Sequence, residues 1–101
     1  MKNIEILGAL KVIEDDGKIN IINEGDDITC FINDNEYYIG TLSKIGYCQK
    51  NKNATKPAIE IICKKDKVIS YNVVMLSDIK WVHKMSEKEK RELEELISNI
   101  K

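Results

Sequence analysis

The sequence predicts a mostly β domain: five to seven short antiparallel strands curled into a small closed or nearly closed barrel over residues 1–83, followed by one amphipathic helix over residues 86–100. Three observations predict it. Between Lys18 and Val82 apolar residues recur at alternate positions, the period of a strand with one buried face. Clusters of Asp, Asn and Gly interrupt the alternation at short intervals, as turns do. After Ser86 the apolar period lengthens to that of a helix. At 101 residues the chain matches one domain, and 43% apolar content, with Ile the commonest apolar residue, fills a modest core.

The first turn is Asp15-Asp16-Gly17, between Leu10-Lys11-Val12-Ile13 and Lys18-Ile19-Asn20-Ile21-Ile22. An Asp-Gly pair flanked by apolar runs signals a tight hairpin, because Gly accepts positive φ. Ile4 to Ala9, before it, is compatible with a strand, a bulged lead-in or a helical turn. Glu24-Gly25-Asp26-Asp27 then breaks the chain ahead of Ile28-Thr29-Cys30-Phe31-Ile32, where Ile28, Cys30 and Ile32 share a face. Past the turn Asn33-Asp34-Asn35-Glu36, Tyr37 to Ile45 alternates through aromatic and β-branched residues, and Gly40 within it predicts a bend or a close backbone approach. Residues 46–57 have no apolar period and end on the only Pro, which predicts a long exposed loop. Ala58 to Lys64 and Val68 to Leu76 form the next hairpin around Lys65-Asp66-Lys67, and a Ser77-Asp78 corner leads to a brief strand, Ile79 to Val82.

Ser86 followed by Glu89 is a capping box, in which each side chain accepts a hydrogen bond from the other residue's backbone N–H. Leu93, Leu96, Ile97 and Ile100 then make one narrow apolar stripe, with Glu87 and Arg91, Lys88 and Glu92, and Lys90 and Glu94 spaced for i, i+4 charge pairs.

The net charge of −1 conceals an asymmetry: residues 1–43 carry three Lys against nine acids, residues 44–67 seven Lys against two acids, and residues 68–101 six basic and six acidic side chains. Fifteen Lys against one Arg, with abundant Ile and Asn, is the bias of an AT-rich genome and suggests a low-GC bacterium or its prophage or other mobile elements. An early acid and the lack of a signal-like or membrane-spanning apolar run predict a cytoplasmic protein with no membrane contact. Cys30, Cys48 and Cys63 form no Cys-x-x-Cys pair, so they read as reduced thiols rather than a zinc site with His83.

From Gly25 to Leu42 the chain resembles the first motif of Sm-like proteins: a Gly, alternate apolar residues, a polar turn, then aromatic and aliphatic positions closing on Gly40-Thr41-Leu42. Val74 to Val82 is similar to the second motif, with Ile79 and Val82 at its apolar places, and to the last corner and strand of SH3-like barrels. The resemblance implies the small barrel. It does not imply the family's RNA base pocket, because the places of its Asp and Asn hold Gly46 and Lys50, and the place of its Arg-Gly holds Met75-Leu76.

No nucleophile elbow, phosphate loop or metal spacing stands out, so the sequence predicts no enzyme, no cofactor and no small-molecule substrate. The acids at 14–16 and 24–27 read as turn formers. Two surfaces remain. The helix stripe Leu93, Leu96, Ile97 and Ile100 either docks on its own barrel or meets a protein partner or a second copy, and exposed tyrosines among Tyr37, Tyr38 and Tyr71 suit a protein contact. Lys44, Tyr47, Lys50, Lys52, Lys56, Lys64 and Lys65 supply the cations and the stacking ring of a single-stranded nucleic-acid site, or form a merely solvated loop. The expected role is a protein-binding or assembly module, with nucleic-acid binding through residues 44–67 as the alternative.

Overall fold

The Asp-Gly turn forms as its residue types dictate. Gly17 takes φ 88°, Asp16 Oδ1 accepts the Lys18 N–H at 3.0 Å, and the Gly17 N–H donates to the Glu14 carbonyl at 2.9 Å. The structure, a computed structural model, describes residues 3–6, 8–51 and 54–99, with the side chains of residues 3, 49–51, 54 and 97–99 outside that description. In chain order the strands are β1 (Asn3–Ile6), β2 (Leu10–Ile13), β3 (Ile19–Ile22), β4 (Asp27–Asn33), β5 (Glu36–Asn51), β6 (Ala54–Lys65), β7 (Val68–Met75) and β8 (Trp81–Lys84), followed by helix α1 (Glu87–Asn99). A 3-10 turn, Leu76–Asp78, forms the corner before β8.

These strands make two antiparallel sheets, a three-stranded one in the order β1-β2-β3 and a five-stranded one in the order β7-β6-β5-β4-β8. The mostly β architecture with one C-terminal helix is as expected, but the strands are divided between two sheets and no closed barrel forms. Strands β7 and β8 lie at opposite ends of the larger sheet and are not bonded to each other, so that sheet does not close. The ambiguous N-terminal stretch is a strand, and with β2 and β3 it forms a second layer. Leu10, Val12 and Ile22 from that layer pack with Ile28, Cys30, Leu42, Ile59, Ile61, Val74, Ile79 and Val82 in one apolar cluster between the sheets.

The second correction concerns residues 46–57. Instead of a loop, β5 and β6 continue past the core as a two-stranded ribbon, pairing Tyr47 with Pro57, Cys48 with Lys56 and Gln49 with Thr55. The ribbon extends beyond β7, whose pairing with β6 ends at Ala58 opposite Met75. None of the ribbon's described side chains is fully buried, in keeping with the missing apolar alternation that marks a strand with one buried face. Pro57 falls where β6 is paired on one side only, a position where a missing N–H is tolerated.

The helix begins as the capping box requires: Ser86 N–H donates to Glu89 Oε1 at 3.3 Å and Glu89 N–H to Ser86 Oγ at 3.2 Å. Among the described residues no helix is long and apolar enough to cross a membrane.

Candidate interaction surface

Strand pairing decides which side chains share a face. Phe31 on β4 lies opposite Tyr37 on β5 and opposite Trp81 on β8, so three aromatic residues distant in sequence form one rung across the sheet. The neighbouring positions Ile28 and Cys30 point into the core, which places the rung on the outer face. The Phe31 and Tyr37 rings stack with centroids 5.7 Å apart, Phe31 meets Trp81 edge-on at 5.5 Å, and Trp81 stacks on His83 at 5.5 Å. All three aromatic residues of the rung are exposed, Tyr37 by 56%. Beside it runs an open groove of about 380 Å³ lined by Phe31, Asn33, Asp34, Lys80 and Trp81. The positions could not be joined from the sequence, because only the register of β4 with both neighbours brings them together.

The helix is tied to the same face by its first turns. Asp27 is the anchor: its carboxylate accepts from Thr41 Oγ1 at 2.8 Å and meets Lys90 Nζ at 3.2 Å, while its carbonyl accepts the Met85 N–H at 2.9 Å. His83 Nε2 lies 3.1 Å from Glu89 Oε1, joining β8 to the capping box. Lys90 thus pairs with Asp27 and, at i, i+3, with Glu87, rather than with Glu94. Beyond these ties the helix stands off the sheet over a cleft of about 280 Å³ lined in part by Ile39, Ile62 and Leu93. Of the predicted stripe, Leu93 is half-buried at that cleft and Leu96 is 60% exposed, whereas the side chain of Ile97 and all of Ile100 lie outside the described residues.

Hydrogen bonds from Thr41 and Lys90 hold the Asp27 carboxyl below its ordinary 3.8, and the His83 and Ser86 hydrogen bonds hold Glu89 below its ordinary 4.5. A depressed carboxylate adds stability above its unfolded pKa and loses that contribution as pH falls through the folded one. The attachment of α1 is therefore expected to weaken in acid, from those ordinary values downward. Stability measured on that limb should fall more gently for Asp27→Asn, and parallel limbs for wild type and variant would refute the assignment.

Among the described residues the basic segment does not gather in one place, although Tyr47 and Lys56 lie at neighbouring rungs of the ribbon. Lys56 and Lys65 stand near opposite ends of β6, about 30 Å apart at about 3.3 Å per residue. Lys44 lies opposite Glu60, Lys64 and Lys65 sit by the turn into β7, and Tyr47 is 70% exposed out on the ribbon. The side chain of Lys50 and all of Lys52 lie outside the described residues.

The acids serve the turns: Asp26 accepts the Asn23 N–H at 2.7 Å, Glu24 the Ile45 N–H at 3.0 Å, and Glu14 the Asn20 amide at 3.2 Å. Cys30 lies on the buried face and His83 on the outer one, and burial pushes the Cys30 thiol up to about 12. Among the described residues no group of three His, Cys, Asp or Glu comes together to hold a metal ion. Tyr37 and Tyr71 are exposed, while Tyr38 packs against the core and donates to Glu36 at 3.0 Å.

No protein-family model, curated protein or solved structure matches this chain.

Proposed function

We propose that this chain is a non-enzymatic protein-binding module that contacts its partner through the aromatic rung Tyr37, Phe31 and Trp81. The observation that carries the reading is the exposure of three large rings on one sheet face, beside an open groove. Aromatic side chains of this kind are the anchors that dominate protein contacts. The finer fold reading, an SH3-like barrel left open between β7 and β8, is supported by the order β7-β6-β5-β4-β8 and the 3-10 corner before the last strand. The nucleic-acid alternative draws less support, since its lysines are spread along a hairpin and one of them lies opposite Glu60.

The test compares proteins retained from a host lysate by immobilised wild type and by Tyr37→Lys, at equal measured stability. A specific partner should be lost from the variant, with affinity reduced by about 2 kcal/mol or more if Tyr37 is a hot spot. Identical retention by both proteins would remove the rung from the contact. A salt-sensitive shift of single-stranded RNA, abolished by Lys44→Glu with Lys56→Glu, would move the function to the alternative.

A further inference from the structure

We infer that β7 is a dimerisation strand, pairing antiparallel with β7 of a second copy of this chain to join the two five-stranded sheets into one. Strand β7 is an edge of the larger sheet and holds eight residues without a charge, a proline or a register shift against β6. Its first half is open to solvent on both faces and its outer face along most of its length, with Val68, Ile69, Tyr71 and Val73 exposed, while Val74 turns into the core. Edge strands are ordinarily kept from pairing by shortness, by charge or by a bulge, and β7 has none of these. The other edge of that sheet, β8, is four residues long and ends in Lys84. Among the described residues the cleft beneath the helix is lined from β4, β5 and β6 but by no residue of β7, whose Ile69, Tyr71 and Val73 stay exposed on that face.

The pattern along β7 selects a second copy as the occupant. A two-fold axis through Tyr71 places Ile69 opposite Val73, Val68 opposite Val74 and Ser70 opposite Asn72, so apolar residues meet apolar and polar meet polar. This register also keeps the outer faces of the two sheets continuous, which a slip by one residue would not. Charge chooses the direction. The chain enters β7 past Lys64 and Lys65 at the end of β6 and an Asp66-Lys67 turn, and leaves it at a corner containing Asp78 with Lys80 beyond it, so the entry end carries an excess of positive charge and the exit end does not. Antiparallel pairing sets the lysines of each copy beside the aspartate of the other, whereas parallel pairing would set lysines beside lysines. The result is an isologous interface of the kind a closed two-fold dimer requires. The aromatic rung lies on other strands, so either surface can fail as a contact without the other.

The experiment is the solution mass of the full chain, measured by sedimentation for wild type, Tyr71→Lys, Tyr71→Asp and an equimolar mixture of the two variants. Because residue 71 faces its own copy across the axis, wild type should have twice the chain mass, each variant alone should have half of that, and the mixture should return to the dimer. Amide exchange of wild type gives a reading that needs no variant: the outward amides of β7 should be protected at high concentration and lose protection on dilution. A wild type that stays monomeric at every concentration overturns the proposal. So does an oligomer whose mass neither Tyr71 variant changes, or protection of β7 that appears only when a different protein is added.

Discussion

Leu42→Ala is expected to remove about 2–5 kcal/mol of stability, the range for truncating a fully buried leucine whose surroundings relax only in part. Leu42 is 0% exposed and packs in the cluster shared by both sheets. Its backbone also ties β5 to the turn between the sheets, accepting from Gly25 N–H at 2.7 Å and donating to the Asp26 carbonyl at 2.9 Å. Alanine keeps both of those bonds, so the loss reports the side chain and its cavity alone. Domains of this kind hold about 5–15 kcal/mol in total, so a large part of the native stability is at stake. The urea midpoint measures it, and a loss under about 1 kcal/mol would mean that the two layers do not pack as described.

Gly40→Ala is expected to cost about 1–3 kcal/mol for the opposite reason, too little room. A Cβ on Gly40 would run into the Ile62 carbonyl of β6 and come within 3.2 Å of Cys63 Sγ. Backbone cannot step aside as a side-chain tip does, so β5 and β6 would have to part where Thr41 pairs with Ile62. Gly46 on the same strand is the control, because a Cβ there meets nothing within 4 Å. Gly46→Ala should stay within about 0.5 kcal/mol of wild type. Equal effects at the two positions would refute the close approach.

That approach was legible from a glycine set within an aromatic and β-branched run, as the first hairpin was from Asp15-Asp16-Gly17 and the helix start from Ser86 with Glu89. These features are local: the residues that make them are neighbours in the chain. What the sequence did not disclose depends on which strands meet. Period-two alternation assigns Ile28, Cys30 and Ile32 to one face, yet it says nothing of whether the layer above them is the far wall of a barrel or a separate sheet. The ribbon at 46–57 carries no apolar alternation, and so leaves no period to read. Tyr37 and Tyr71 could be named as interface candidates one by one, but the rung of Tyr37, Phe31 and Trp81 exists only through two registers made by strands far apart in the chain.

The pairing of β4 with β8 carries a consequence for the order of assembly. β1, β2 and β3 are joined by short connections and can zip as soon as each emerges from the ribosome. Strand β4 can pair with β5 at once, but its other edge waits for Val82 and Trp81, and the intervening hairpins must already be placed before that circuit closes. Closing so long a stretch of chain has a large entropic cost before any contact returns it. The nascent polypeptide therefore holds one edge of β4 unpaired until translation has passed the 3-10 corner, the interval in which it is most exposed to wrong pairings.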